Sequence, residues 1–157
     1  MDSTKVDYVF MALHGPPAEN GKIQPYFDDL KIKYSSCKSD VSALTFNKIE
    51  CNKTLFKLGF NCAKSLYHKK GDSINTEEII RTLGLPCFIK PNQGGSSFGV
   101  SKVNYEYEIK DAINNALIHD DIVLMEQFID GVELSCGVAI QQEIIKAFPI
   151  TEIVSQN

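Results

Sequence analysis

The chain has 157 residues, of which 43% are hydrophobic and 23% charged, a balance suited to one ordinary soluble domain with a real core. Its formal net charge of −4 excludes the basic footprint of a nucleic-acid-binding protein. No apolar run approaches the roughly 18 residues of a membrane span, and Met1-Asp2-Ser3-Thr4 ahead of a strand-like run does not read as a signal peptide.

In chain order, Val6 to Leu13 is an almost unbroken apolar run closed by His14-Gly15-Pro16-Pro17, which predicts a buried strand emptying into a loop. Ile23, Phe27 and Leu30 recur at helical spacing. A longer helix is predicted from about Val41 to Leu58, stopped by Gly59. Lys69-Lys70-Gly71-Asp72 reads as a loop. Asn75, with Glu78 three residues on, is an N-cap signal for a helix Thr76–Leu83 that Gly84 ends. Cys87-Phe88-Ile89 and Val100 to Val103 read as strands, followed by a helix with Ile109, Ala112, Ile113, Ala116 and Leu117 on one face. Ile122 to Met125 is a strand. Leu134, Cys136, Val138 and Ile140 alternate with their neighbours as a half-buried strand, Gln141-Gln142-Glu143 turns, and Ile144 to Ile153 is its antiparallel return. The fold class is α/β with α+β character, mixing hairpins with helix crossovers.

The five cysteines, Cys37, Cys51, Cys62, Cys87 and Cys136, are odd in number and show no C-x-x-C pair. Neither a zinc site nor a disulfide framework is indicated. Cys51, Cys87 and Cys136 sit at apolar positions of regular patterns, where a thiol is a small hydrophobe. This is the cysteine usage of a reduced, cytoplasmic protein.

Four features stand above this background. Leu44, Lys48, Cys51, Leu55 and Leu58 share one face of the predicted helix, so Lys48 interrupts an inward stripe. Its stem could cover the core while the ammonium reaches water, or a rigid helix could aim the cation into a cleft. Lys90 ends a short strand and Pro91 holds it extended and ends the pairing. That lysine is either an edge guard or a point charge for phosphate. Directly after it, Asn92-Gln93-Gly94-Gly95-Ser96-Ser97-Phe98-Gly99 is a glycine-serine loop whose amides and hydroxyls could wrap a phosphate, or a plain turn. It is neither a Walker loop nor a Rossmann turn, because no Gly-Lys-Ser/Thr follows and the next element is a strand. Finally, Met125-Glu126-Gln127-Phe128-Ile129-Asp130-Gly131-Val132-Glu133 is a strand, a connector and a turn ending in an acid. It could pair an adenine edge and accept from ribose hydroxyls, or be an exposed hairpin.

In this order, two lysines, a glycine-serine flap and an acid-rich hinge describe an ATP clamp between two sheet-bearing lobes. The chain resembles the D-alanine–D-alanine ligases of the ATP-grasp superfamily over nearly its whole length. The likeness rests on Ala12-Leu13-His14-Gly15 with Glu19, Gly21 and Gln24, and on Asn47-Lys48. It continues through Leu85 to Pro91 with Gly95-Ser96-Ser97-Phe98-Gly99-Val100, Glu126 to Glu133, and Pro149 to Ile153. Ala18-Glu19-Asn20-Gly21 departs from the usual Gly-Glu-Asp-Gly but keeps the glutamate. The resemblance implies an ATP-grasp fold: residues 1–40 end an N-terminal domain, 41–125 form the central lid subdomain, and 126–157 are the hinge and start of the C-terminal lobe.

The resemblance also implies roles. Lys48 and Lys90 contact the α- and β-phosphates, and the flap from Gly95 to Gly99 covers the β- and γ-phosphates. Ser97 reaches phosphate and Ser96 the substrate. Glu126, Gln127, Phe128 and Ile129 line the adenine site, with Glu133 on ribose, while His14 and Glu19 help place the first D-alanine. Ser96, Ser97, His14 and Glu19 are thus the catalytic candidates. ATP and magnesium (or manganese) are the implied cofactors, D-alanine the substrate, peptidoglycan precursor the product, and a homodimer the usual state of the complete protein. The metal ligands and catalytic arginine of the family lie beyond Asn157. Arg81, the only arginine, is on a short helix elsewhere. On this reading the chain alone is inactive as a ligase. The alternatives are another ATP-grasp carboxylate–amine ligase, such as a peptide or glutathione-type synthetase, and a non-catalytic nucleotide-binding module.

Overall fold

The computed structural model describes residues 6–154; Met1 to Thr4, read above for the absence of a signal peptide, lie outside them. The core belongs to a four-stranded antiparallel sheet in the order β3-β6-β4-β5, built from β3 (Ser65–Lys69), β4 (Cys87–Pro91), β5 (Ser101–Val103) and β6 (Ile122–Gln127). Strand β4 alternates strictly: Cys87, Ile89 and Pro91 are buried while Phe88 and Lys90 are half-buried on the other face. Helices α4 (Thr76–Leu83) and α5 (Ile109–Ala116) lay Ile79, Leu83, Ile109, Ala112, Ile113 and Ala116 on the inward face, against Cys87, Ile89, Val103, Val123 and Met125. This one-faced packing frees the opposite face, with Phe88, Lys90 and Glu126, for other work.

The local signals act as expected around α4. The Asn75 side chain accepts from the Glu78 amide at 3.1 Å, and Gly84 ends the helix at φ 74°. Asp120 caps the turn into β6 through the Ile122 amide at 3.3 Å and the Gln93 amide at 2.7 Å. Cys87 is fully buried, and burial pushes its thiol pKa up, in keeping with an inert small hydrophobe.

Several sequence expectations are corrected. The predicted helix 41–58 is two helices, α2 (Ser39–Phe46) and α3 (Lys48–Lys57). Asn47 leaves helical geometry at φ −90°, ψ 99°, bridges to Gln93, and caps α3 by accepting from the Glu50 amide. An asparagine that can hydrogen-bond locally competes with helix, and tertiary pairing decides the contest. Lys48 therefore opens a helix rather than interrupting a continuous stripe. Pro91 does not end the pairing: it sits opposite Val123 in the β4–β6 ladder.

The apolar run at 6–13 yields only β1 (Tyr8–Val9), parallel to β2 (Lys33–Tyr34), and Tyr8, Phe10 and Leu13 are exposed. No layer among the described residues covers it. Helix α1 (Gln24–Asp29) lies between the two strands, as Ile23, Phe27 and Leu30 suggested. The half-buried hairpin after residue 133 is instead fully exposed and split into two ladders. β7 (Leu134–Ser135) pairs with β10 (Thr151–Glu152), and β8 (Val138–Gln141) with β9 (Ile144–Ala147). Its turn at Gln142-Glu143 has φ 52° and 64°. Cys136 is accordingly exposed, and Cys51 half-buried.

Ile113 is wholly buried between α5 and the sheet. Replacing it with alanine removes that packing and leaves a cavity, so I113A should lower unfolding free energy by about 2–5 kcal/mol in urea titration.

Candidate functional site

Two backbone ties bring α3 to the end of β4. The Lys48 amide donates to the Asn92 carbonyl at 3.2 Å, and the Asn92 side-chain oxygen accepts from the Ile49 amide at 2.9 Å. Asn92 is 1% exposed and donates its own amide to the Ile122 carbonyl at 2.9 Å, so it locks helix, strand β4 and strand β6 together. The sequence reading missed this role; the only signal was an asparagine directly after Lys90-Pro91.

The consequence is that Lys48 and Lys90 meet. Both line one cavity of about 480 Å³ with Gly94, Gly95, Ser96, Ser97 and Glu133, roofed by the 94–98 loop. Lys48 Nζ donates to the carbonyls of Gly94 at 2.9 Å and Asn92 at 3.3 Å. Burial holds the Lys48 pKa below its ordinary 10.5, and the Lys90 charge adds to the depression, while Asp120 and Glu126 oppose it. Lys90 is paired with Glu126, whose other oxygen accepts from Asn52 at 2.7 Å.

The loop is a tight, strained flap. Ser96 and Ser97 both adopt left-handed backbone, at φ 52° and 57°, which costs non-glycine residues energy and clusters at functional sites. The Phe98 amide closes on the Gly95 carbonyl and the Val100 amide on the Ser97 carbonyl, while the amides of Ser96 and Ser97 have no partner among the described residues. Donors left open beside two ammonium groups make a cradle for a polyanion. Gly99 is required where the flap returns. At φ 69°, an added Cβ would sit 2.5 Å from His119 Cδ2.

A second cavity, about 660 Å³, adjoins the first through Phe88 and Glu133 and is walled by Phe128, Ile129 and Val132. The Phe128 ring tilts against Phe88 at 6.0 Å between centroids, and Lys102 Nζ lies 4.1 Å from its centre. Lys102 is a further residue that sequence reading passed over. It stands across the β4–β5 ladder from Phe88, a register not visible before pairing is known. A third cavity, about 400 Å³, shares Lys48 and Gly94 with the first and includes Glu19, Ala18 and Leu13.

Of the sequence candidates, Lys48, Lys90, Gly95, Ser96, Ser97 and Glu133 thus converge on one cavity. Phe128 and Ile129 join Glu133 on the adjoining one. Glu126 reaches the site through Lys90 rather than as a free acceptor. His14 stands in solvent, its Nδ1 3.9 Å from Glu19 Oε1. Gln127 is engaged through its backbone, donating to the Lys64 carbonyl at 2.9 Å. Among the described residues no group of three or more His, Cys, Asp or Glu could hold a metal ion.

The chain is similar in sequence and shape to known proteins. The family model described as D-ala D-ala ligase C-terminus matches residues 56–157. The D-alanine–D-alanine ligase of Phocaeicola vulgatus is 48% identical over 156 residues, covering 99% of this chain and 48% of that protein. That of Flavobacterium johnsoniae is 50% identical over 151 residues, covering 96% and 47%. The crystal structure of VanG D-Ala:D-Ser Ligase from Enterococcus faecalis superposes with a TM-score of 0.85 at 35% identity, covering 94% of this chain and 43% of that one. D-alanyl-alanine synthetase A from Vibrio cholerae gives 0.87 at 27% identity, covering 96% and 47%. The chain spans about half the length of the curated relatives it matches. With its ATP-grasp fold, mixed in helix and strand, the chain belongs to the D-alanine–D-alanine ligase family.

Proposed function

We propose that this chain carries the nucleotide clamp of an ATP-dependent ligase that joins two D-alanines and supplies peptidoglycan precursor. The observation that supports it most is the convergence of Lys48, Lys90 and the serine flap on a single cavity. In this reading residues 1–40 end the N-terminal domain, 41–125 are the lid, and 126–157 are the hinge and the start of the C-terminal lobe. The complete protein works in the cytoplasm, as a homodimer, and uses neither nucleic acid nor membrane as partner. No helix among the described residues is long and apolar enough to cross a membrane.

The cavity shared by Lys48, Lys90 and the flap suits a triphosphate, and the adjoining one walled by Phe128 suits an adenine ring. Glu133, common to both, stands where ribose hydroxyls would lie. Lys48 and Lys90 neutralise the α- and β-phosphates, and the open amides of Ser96 and Ser97 face the β- and γ-phosphates. Phe128 and Ile129 sandwich the base, with Gln127 at its edge, while both Glu126 oxygens are held by Lys90 and Asn52. Glu19, in the cavity that shares Lys48, and His14 beside it help hold the first D-alanine. The carboxylate of that D-alanine attacks the γ-phosphorus, forming D-alanyl phosphate and releasing ADP. The amine of a second D-alanine then displaces phosphate and loses a proton. Catalysis of this kind rests on positioning, charge neutralisation and exclusion of water, which a fixed helix and an amide-lined lid provide. Magnesium or manganese would neutralise phosphate charge here with the help of carboxylates that no cluster among the described residues supplies.

Calorimetry with magnesium-ATP tests the clamp. The 157-residue chain should bind ATP, and Lys48→Met and Lys90→Met should each weaken binding about tenfold or more, the order of one charge-assisted contact. Unchanged affinity in both variants would remove the basis of the reading. Product assays on this chain with D-alanine, ATP and magnesium should give no D-alanyl-D-alanine, because half the length of the relatives is lacking; turnover would refute that part.

Lys48 also makes a pH prediction. Its folded pKa lies below the unfolded 10.5, so the folded chain binds fewer protons in the window between the two. Its contribution to stability therefore rises with pH through that window. A bound polyanion favours the charged ammonium, so ATP binding at alkaline pH should take up protons. Calorimetry in two buffers of different ionisation enthalpy would measure this uptake, and Lys48→Met should reduce it.

A further inference from the structure

Both carboxylate oxygens of Glu126 are engaged. One pairs with Lys90 Nζ, and the other accepts a 2.7 Å hydrogen bond from Asn52 Nδ2. The Glu126 side chain is 14% exposed and that of Lys90 23%, so water screens the pair only in part. Asn52 sits on α3 four residues after Lys48, one turn along the same side of the helix. One helix therefore delivers the first ammonium directly and reaches the second through Asn52 and Glu126. The start of that helix is fixed by Asn47 and by buried Asn92, so Asn52 is carried on a rigid support.

The charges make the arrangement consequential. Lys90 and Glu126 together are neutral, and the cavity attracts a polyanion through Lys90 only as far as Glu126 releases it. A carboxylate free to turn both oxygens toward an ammonium brings more negative charge close to it than one held to a single-oxygen approach. The Asn52 amide occupies one oxygen with a neutral donor. It orients the carboxylate without cancelling its charge, and Glu126 still offsets the repulsion between Lys90 and Lys48.

We propose that Asn52 is a positioning residue of the phosphate cavity: it confines Glu126 to a one-oxygen hold on Lys90 and so leaves the Lys90 ammonium free to turn to a triphosphate. The inference rests on the nucleotide reading of this cavity. It concerns phosphate binding alone and leaves the base side of the site untouched.

The test is calorimetric titration of the 157-residue chain with magnesium-ATP and, separately, with adenosine. Asn52→Leu, of similar size but without the donor, should weaken ATP about tenfold, the order of one hydrogen bond to a charged group, and leave adenosine affinity unchanged. Asn52→Gln, which keeps the carboxamide, should recover part of the loss. In a Glu126→Gln background the grip on Lys90 is already relaxed, and Asn52→Leu should have no further effect. If Asn52→Leu does not fold, Asn52→Ser takes its place in the same comparison. Unchanged ATP affinity, equal losses for ATP and adenosine, or an undiminished effect in the Glu126→Gln background would each overturn the proposal. A wild-type chain that binds neither ATP nor adenosine would instead overturn the nucleotide reading, and this inference with it.

Discussion

Two like charges held in one half-buried cavity are the constraint from which the rest of this structure follows. Unit charges of one sign a few ångströms apart cost on the order of a few kcal/mol where water screens poorly. The chain meets that cost locally. Lys48 leans on two backbone carbonyls, Lys90 on Glu126, and Glu126 in turn on Asn52. The depressed Lys48 pKa reflects its burial first, and then the part of the Lys90 repulsion that these contacts do not offset. Such strain is tolerated at sites where a ligand relieves it, and a triphosphate carries the charge to do so.

The scaffold can hold the two lysines because its hydrophobic work is finished on one side. All of the buried apolar weight of α4 and α5 falls on a single face of the four-stranded sheet. The strict alternation of β4 then hands Phe88 and Lys90 to the opposite face. A one-residue slip of β4 would bury the lysine and expose Ile89. Lys90 is therefore placed by the core pattern, and Lys48 by the Asn47–Gln93 bridge and the Asn92 side chain. The two lysines come from segments more than forty residues apart, and buried Asn92, two residues past Lys90, joins them.

The elements legible in the sequence were those with local causes. The α4 helix was readable because its cap, amphipathic face and terminal glycine all lie within ten residues. β4 and β6 were readable as short apolar runs, and α5 from its periodicity. What was not legible depended on partners distant along the chain. The break at Asn47 comes from its bridge to Gln93. Strand β3 carries little apolar signal and exists because β6 pairs with it along its whole length. The residues from 134 onward alternate as a half-buried strand should, yet they are exposed, because no facing layer lies among the described residues. In the site, Lys48, Lys90, the flap and Glu133 were visible as residue types in order. Asn52 and Lys102 were not, since their roles depend on sheet register and helix placement.

The flap shows why residue type alone was insufficient and geometry decides. Glycine-serine turns are common at surfaces, and Gly94 to Gly99 taken alone would be one of them. Here two serines rather than two glycines occupy left-handed backbone, a costly choice for a plain turn. The Ser96 and Ser97 amides have no internal partner among the described residues, and both residues line the cavity. Glycines at both positions would reach the same dihedrals more cheaply and would keep the amides. They would lose the hydroxyls. Left-handed backbone at two non-glycine residues also occurs in the Gln142-Glu143 turn, so the distinguishing feature of the flap is its place: the strained serines lie beside Lys48 and Lys90 on one cavity.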